Sequence, residues 1–102
     1  MWILQTPEGH DGDPLIFRLA SPGHKTVGRA TTADFVVEAA LVSRFHCRLT
    51  LDSEDRLVLE DLSSTNGTFV NDERVEQREL KAGDRLRMGR LHLTVSSVGR
   101  PT

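Results

Sequence analysis

Residues 57–71 read LVLEDLSSTNGTFVN, in which two short apolar stretches are joined by a polar loop. Leu57 to Asp61 and Thr68 to Val70 are predicted strands, because they are apolar, short and bounded by turn residues. Between them, Asn66-Gly67 favours a tight turn, since glycine accepts a positive φ at no steric cost and asparagine tolerates it. This order of strand, loop and strand is typical of an all-β fold.

The rest of the chain has the same organisation, because eight glycines and four prolines cut it into short pieces. Alternating apolar and polar residues predict half-buried strands at Leu15 to Ala20, His46 to Leu51 and Leu91 to Ser96. Gly89-Arg90, with glycine first, predicts a two-residue hairpin between Leu86 to Met88 and the last of these strands. Shorter candidate strands are Trp2 to Gln5, Lys25 to Gly28, Phe35 to Val37 and Arg74-Val75.

Around ten strands linked by short turns predict a sandwich of two antiparallel β-sheets. The segment from Glu76 to Ala82 has a helical composition, but it is short and is stopped by Gly83. We therefore expect a loop or a single turn there. Phe35 and Phe69 are predicted to lie in the core.

Composition limits the classes of function that remain. The 102 residues suffice for one hydrophobic core, and we expect a domain over residues 1–97 with 98–102 as a tail or linker start. A net charge of −2 disfavours nucleic acid as the main partner. No apolar run is long enough for a membrane span, and residue 1 onward shows no export signal. A single cysteine, Cys47, excludes an internal disulfide and favours the reducing cytoplasm.

Polar residues collect where this interpretation places loops. Gly28-Arg29 ends one strand, Ser43-Arg44-Phe45-His46 opens another, and Ser63 to Thr68 connects two more. Loops at one end of a sandwich can converge, which would bring together two guanidinium groups, several hydroxyls and one carboxamide. Arginine binds two phosphate oxygens at once, and Ser and Thr hydroxyls donate to the others. Such a site fits a dianion, and a phosphorylated side chain matches it better than a carboxylate.

The chain resembles the forkhead-associated (FHA) domain family from about Trp2 to Val95. The matching segments are Gly28-Arg29, Ser43-Arg44-Phe45-His46, Leu59 to Asn71 and Gly83-Asp84, in the family's order and spacing. The resemblance implies an eleven-stranded, FHA/SMAD-like β-sandwich whose loops bind phosphothreonine in a partner protein. It also implies that the domain is not an enzyme and uses no cofactor.

The resemblance also assigns roles to individual residues. Arg29 would grip the phosphate, Ser43 would donate its hydroxyl to a phosphate oxygen, and Arg44 would add a second contact. Thr65 would lie near the phosphate, while Asn66 would hydrogen-bond the peptide main chain. Gly28, His46 and Gly67 would support the site, and for His46 a ring nitrogen bonded to a neighbouring backbone group gives a physical reason.

Other interpretations of the same residues remain as alternatives. Ser43 and His46 suggest a nucleophile and a base, but residues three apart on an extended segment point to opposite faces and no acidic orienter is evident. Scattered histidines beside one cysteine do not indicate a metal site, and Cys47 is read as a small buried hydrophobe. Arg85, Arg87 and Arg90 form a basic patch, either a solvated strand face or a site for a second acidic partner.

The predicted partner is a phosphothreonine-containing protein or peptide, with a Ser/Thr kinase, its substrate or the protein's own phosphorylated linker as candidates. The resemblance implies that residues 38–42 read the side chain three positions after the phosphothreonine. No basic residue lies there, so we expect an apolar preference over an acidic one. The domain is expected to be monomeric and cytoplasmic, as in bacterial kinase signalling, or nuclear as a eukaryotic checkpoint adaptor. The alternative function is phosphorylation-independent assembly or dimerisation through a sheet face.

Overall fold

A computed structural model describes residues 1–9 and 12–98. Eleven strands occupy this part of the chain: β1 Trp2–Gln5, β2 Ile16–Leu19, β3 Gly23–Gly28, β4 Phe35–Val36, β5 Cys47–Leu51, β6 Leu57–Asp61, β7 Thr68–Val70, β8 Glu73–Val75, β9 Gln77–Leu80, β10 Arg85–Met88 and β11 Leu91–Ser97. They form a six-stranded sheet in the order β2-β1-β11-β10-β7-β8 and a five-stranded sheet in the order β4-β3-β5-β6-β9. The predicted all-β sandwich is confirmed.

Alternation along the strands builds the core between the sheets. Cys47, Leu49 and Leu51 of β5 are buried, while Arg48 and Thr50 between them are only partly covered. Phe17 of the six-stranded sheet stacks on Phe35 of the five-stranded sheet, with ring centroids 4.5 Å apart. Burial raises the pKa of the Cys47 thiol to about 12, with a smaller contribution from the Asp61 carboxylate, so this side chain behaves as a buried hydrophobe.

The pairing is antiparallel except between β3 and β4, where Val27 lies beside Phe35 and Gly28 beside Val36 in parallel register. The hairpin predicted at Gly89-Arg90 joins β10 to β11, and Gly89 adopts a φ of 59°. The parallel pairing and the hairpin both lie at the end of the sandwich that carries the polar loops, because β3 and β10 end there.

The prediction of a loop or a single turn from Glu76 to Ala82 is wrong. Residues Gln77–Leu80 form β9, which pairs with β6 at the edge of the five-stranded sheet. Only Leu80 of this strand is fully buried, so the apolar alternation that reveals a strand is nearly absent. Charged residues are common on edge strands because they oppose pairing with another chain. The edge position therefore explains both the composition and the missed prediction.

Phe69 is not part of the core, contrary to the prediction from sequence. It lies beside Arg87 and Arg74 in register, on the outer face of the six-stranded sheet. The Arg87 guanidinium carbon lies 4.0 Å from the centre of the Phe69 ring. This cation–π contact covers the ring and leaves it partly buried.

Candidate terminal segments fall partly outside the structure. The predicted tail or linker start at residues 98–102 is described only at Val98, whose backbone amide donates to the Met1 carbonyl. Among the described residues, no helix is long and apolar enough to cross a membrane.

Candidate functional site

Gly28 permits the close approach on which the loop cluster is built. A Cβ atom at this position would lie 2.0 Å from the Arg44 carbonyl oxygen, so no other residue fits without a backbone shift. The Arg29 amide donates to the Ser43 carbonyl at 3.0 Å, and the Ala30 amide donates to the Arg44 carbonyl at 3.0 Å. The chain after β3 is thereby fixed against the segment that carries Ser43.

The Arg29 side chain is anchored at one nitrogen. Its Nε–H donates to the Val42 carbonyl, which holds the guanidinium beside the Ser43 segment. Within residues 1–9 and 12–98, no carboxylate lies within salt-bridge distance of Arg29. The two terminal amino groups therefore remain available, and such a pair can bind two oxygens of one anion.

Ser43 connects two of the loops through its hydroxyl. Its Oγ accepts a hydrogen bond from the Thr65 amide at 3.1 Å. A serine hydroxyl has one donor and two acceptor lone pairs. Because the contact with Thr65 uses a lone pair, the hydroxyl hydrogen is left to donate to an anion.

His46 is fully buried and braces both loops. Its Nδ1 accepts from the Ser43 amide at 3.0 Å, and its Nε2 lies 2.9 Å from the Gly67 carbonyl. A carbonyl can only accept, so Nε2 carries the hydrogen and the ring is the neutral tautomer with Nδ1 unprotonated. The Nδ1 lone pair therefore accepts from the Ser43 amide. A catalytic base would instead have to contact the Ser43 Oγ.

The Ser43 to His46 segment is not extended, contrary to the sequence interpretation. Arg44 and Phe45 form a turn, which folds the His46 ring back onto the Ser43 amide. The turn also leaves Arg44 and Phe45 exposed, with Phe45 41% accessible. Within the part of the chain that the structure describes, the Arg44 side chain has no ion-pair partner.

Thr65 and Asn66 are exposed on the loop between β6 and β7. The Asn66 carboxamide donates from Nδ2 to the Leu41 carbonyl at 3.0 Å. Arg29 and Asn66 thus hold the neighbouring carbonyls of Val42 and Leu41, which fixes residues 41–43 between them. The Asn66 carboxamide retains its carbonyl oxygen and a second N–H for further hydrogen bonds.

A hydrogen-bond network under this loop was missed by sequence reasoning. Asp61 Oδ1 accepts from Ser64 Oγ and from Thr68 Oγ1, both at 2.6 Å, and Asp61 Oδ2 accepts from the Ser64 amide at 3.1 Å. Ser64 Oγ in turn accepts from the Gly67 amide at 3.0 Å. The local signal that could have revealed the network is Asp61 at the end of a strand with a serine three residues later.

The pKa of Asp61 lies below its ordinary value of 3.8. Burial alone would raise it, but the hydrogen bonds from Ser64 and Thr68 outweigh burial. Because the folded pKa is lowered, the ionised carboxylate stabilises the fold above about pH 4. That contribution is lost as the pH falls through the folded pKa.

Replacing Asp61 by asparagine is therefore expected to lower the unfolding free energy by about 1–3 kcal/mol at pH 7. The deficit should shrink as the pH falls below 4, because the contribution of the ionised carboxylate is lost as the native Asp61 takes up its proton. Urea unfolding at pH 7 and pH 3 measures both quantities, with the exposed Asp13→Asn as the matched control. An equal deficit at both pH values would contradict this role of the charge.

The structure thus places Arg29, Ser43, Thr65 and Asn66 in one cluster at the end of the sandwich, supported by Gly28, His46 and Gly67. Gly67 has a φ of 87°, a backbone conformation that residues with a side chain rarely adopt. Within residues 1–9 and 12–98, no group of His, Cys, Asp or Glu is arranged to hold a metal ion. Fold and cluster together define a β-sandwich that presents an anion-ready loop surface.

Comparison with known proteins identifies this class. The sequence model of the FHA domain matches residues 25–89, and the chain belongs to the FHA domain family. It is 36% identical over 85 residues to the FHA domain-containing protein FhaA of Mycobacterium tuberculosis, covering 83% of this chain and 16% of FhaA. The chain therefore spans a small part of that relative's length.

Two solved structures show the same architecture. The FHA domain of FhaA, solved in complex with the intracellular domain of Rv3910, has a TM-score of 0.83 at 33% identity and covers 93% of this chain and 99% of its own. A structure from an analysis of phosphothreonine-dependent FHA domain interactions has a TM-score of 0.81 at 29% identity, with coverage of 98% and 100%. The FHA resemblance predicted from the sequence is confirmed.

Proposed function

We propose that this domain binds phosphothreonine segments of partner proteins through Arg29, Ser43, Arg44, Thr65 and Asn66. The observation that carries the proposal is the anchored Arg29 guanidinium, whose Nε–H is held by Val42 and whose terminal amino groups face no carboxylate partner among the described residues. A phosphate brings about −1.5 to −2 charges and three acceptor oxygens to such a fork. Membership of a family with phosphothreonine-dependent interactions supports the same ligand.

Each loop residue has a distinct part in this proposal. Arg29 and the Ser43 hydroxyl bind phosphate oxygens, and Thr65 and the exposed Arg44 add contacts at the rim. The free edge of the Asn66 carboxamide bonds the peptide main chain and fixes its direction. Gly28, His46 and Gly67 support these groups without touching the ligand. The partner is proposed to be a protein phosphorylated by a Ser/Thr kinase, or such a kinase itself.

The proposed activity is recognition without catalysis or a cofactor, by a monomeric domain in the cytoplasm. Two features support the absence of catalysis: His46 is engaged with the Ser43 amide, and the buried Cys47 is a hydrophobe. A single cysteine suits a reducing compartment. A size-exclusion experiment with light scattering tests the monomer, and a generic ester assay tests the absence of turnover.

Fluorescence anisotropy with a degenerate phosphothreonine peptide library tests the proposal. Phosphothreonine peptides are expected to bind, unmodified peptides to show no binding, and aspartate or glutamate peptides to fail, because one planar carboxylate replaces a dianion. Phosphoserine lacks one methyl group, which corresponds to about 1 kcal/mol and hence roughly fivefold weaker binding. Equal binding of the unmodified library would contradict phosphate recognition.

The residue three positions after the phosphothreonine is expected to be apolar. An open cleft of about 410 Å³ lined by Arg29, Glu38, Ala39 and Ala40 lies beside the phosphate loops, and Leu41 next to it is 50% exposed. The Glu38 carboxylate repels an acidic side chain in this cleft. A peptide array varying this position is the measurement, and Leu41→Lys should move the preference towards acidic residues. Acidic residues preferred by the wild type would refute the assignment.

A further inference from the structure

The arginines of the two sheets are partnered differently. In or beside the five-stranded sheet, Arg48 pairs with Glu60, Arg56 pairs with Asp52 and Arg78 pairs with Glu73. On the outer face of the six-stranded sheet, within the described residues, the only ion pair is a long one between Arg85 and Asp72, at 3.9 Å. The Asp72 side chain is 87% exposed, so this contact is screened by solvent.

The outer face of the six-stranded sheet is defined by the strand positions that alternate with core residues. Among the described residues, its charged members are all basic. They are Arg18 of β2, Arg74 of β8, and Arg85 and Arg87 of β10, with His92 of β11 beside them. The whole chain carries 15 acidic against 13 basic residues, so this segregation runs against its net charge. Like charges on neighbouring strand positions repel, and among the described residues the long contact between Arg85 and Asp72 is the one ion pair on this face that offsets the repulsion.

One cross-strand row lies at the centre of this basic face. His92, Arg87, Phe69 and Arg74 are consecutive partners across β11, β10, β7 and β8. The row borders the loop cluster, because the Arg74 guanidinium covers Gly67 and Arg87 Nη1 reaches the Gly89 carbonyl at 3.5 Å. It is nonetheless a separate surface, built on strands and not on the phosphate loops.

Apolar side chains are interleaved with these arginines. Ile16 is 47% exposed on the same face, Ile3 is partly exposed beside Arg18, and Phe69 lies under Arg87. Arginine together with aromatic residues is enriched at protein interfaces. Nucleic acid instead favours a continuous track of cations along a phosphate backbone. Charge complementarity therefore indicates that the partner of this face is an acidic polypeptide that also carries apolar side chains.

We propose that the basic face is a second docking surface, which binds an acidic segment of a partner protein independently of phosphothreonine. Carboxylates of the partner pair with Arg18, Arg74 and Arg87, and they replace the long, solvent-screened contact of Arg85 with Asp72. An apolar side chain of the partner packs on Phe69 or Ile16. A partner that also carries a phosphothreonine gains a second attachment with a high effective concentration.

An acidic peptide without phosphate tests this surface. A labelled peptide of repeated Asp-Glu-Phe-Glu units is titrated into the uniformly ¹⁵N-labelled chain at low salt, and amide shifts are followed by NMR. Shifts are expected in β7, β10 and β11, with weakening as salt screens the charges. Shifts confined to the Arg29 and Ser43 loops would overturn the proposal, because the peptide would then be occupying the phosphate site.

Matched variants separate the surface from net charge. The double variant Arg85→Gln/Arg87→Gln is expected to bind the acidic peptide about three- to tenfold more weakly. If loss of the contact between Arg87 and Phe69 disturbs folding, the double variant Arg18→Gln/Arg85→Gln makes the same test. Lys25→Gln with Lys81→Gln removes the same charge elsewhere and should change nothing. Arg29→Ala should retain acidic-peptide binding. Equal weakening by the lysine pair would overturn the proposal, as would tighter binding of single-stranded RNA or phosphatidylserine vesicles to the same strands.

Discussion

Replacing Arg29 by alanine is expected to weaken phosphothreonine-peptide binding by at least about 30-fold, which corresponds to about 2 kcal/mol or more. The variant removes both terminal amino groups that we propose bind the phosphate, which would leave the dianion without its bidentate partner. Its stability should change by only about 1 kcal/mol, since the single hydrogen bond that is lost goes from Nε to the Val42 carbonyl. Anisotropy measures the affinity and urea unfolding the stability.

Two further variants make the Arg29 result specific. Arg29→Lys retains the charge but loses the planar fork and the anchor on Val42, so an intermediate affinity is expected. Arg56→Ala removes an exposed arginine from the turn between β5 and β6, at the opposite end of β5 from Ser43, and should bind as the wild type does. Undiminished binding of the phosphothreonine peptide by Arg29→Ala would contradict the proposal that the phosphate binds at this site.

Replacing His46 by alanine is expected to lower the unfolding free energy by about 3 kcal/mol and also to weaken the peptide. The fully buried ring accepts from the Ser43 amide and donates to the Gly67 carbonyl. Its removal leaves a cavity, and the Ser43 amide and the Gly67 carbonyl lose their hydrogen-bond partner. The Ser43 loop is then no longer bonded through this ring to the Asn66-Gly67 loop. Urea unfolding and anisotropy on the folded variant measure the two effects.

The exposed His92→Ala on β11 is the matched control and should leave both quantities unchanged. His46→Gln keeps an amide donor that can reach Gly67, so partial recovery of stability is expected. A hydrolase that used Ser43 would instead turn over a generic ester and lose that activity in His46→Ala. A stable His46→Ala variant with unchanged affinity would contradict the bracing role.

Local strand patterns were predictable because burial alternates with period two along each strand. β5, β6 and β7 follow the apolar residues of their segments, and the Gly89-Arg90 hairpin follows from its turn chemistry. β9 escaped because an edge strand buries little and carries charges that disguise the period. Phe69 escaped for a related reason: Arg87 covers an outward-facing ring that hydrophobicity alone assigns to the core.

The residue types of the candidate site were predictable, but their connections were not. Arg29, Ser43 and Asn66 could be selected from the sequence, since phosphate chemistry and the FHA pattern both favour them. The bonds from Arg29 to Val42 and from Asn66 to Leu41 join residues far apart in the chain, and no local periodicity reports them. The turn at Arg44-Phe45 places the His46 ring on the Ser43 amide, and the same ring makes a tertiary contact with the Gly67 carbonyl that no local pattern reports.

The central claim is that the loop cluster recognises phosphate on threonine. NMR titration of the ¹⁵N-labelled chain with one phosphothreonine peptide, and with the same peptide unphosphorylated, tests it most directly. We predict saturable shifts at the amides of Arg29, Ser43, Thr65 and Asn66 with the phosphorylated peptide only. Equal shifts with both peptides, or shifts confined to the sheet faces, would contradict the account.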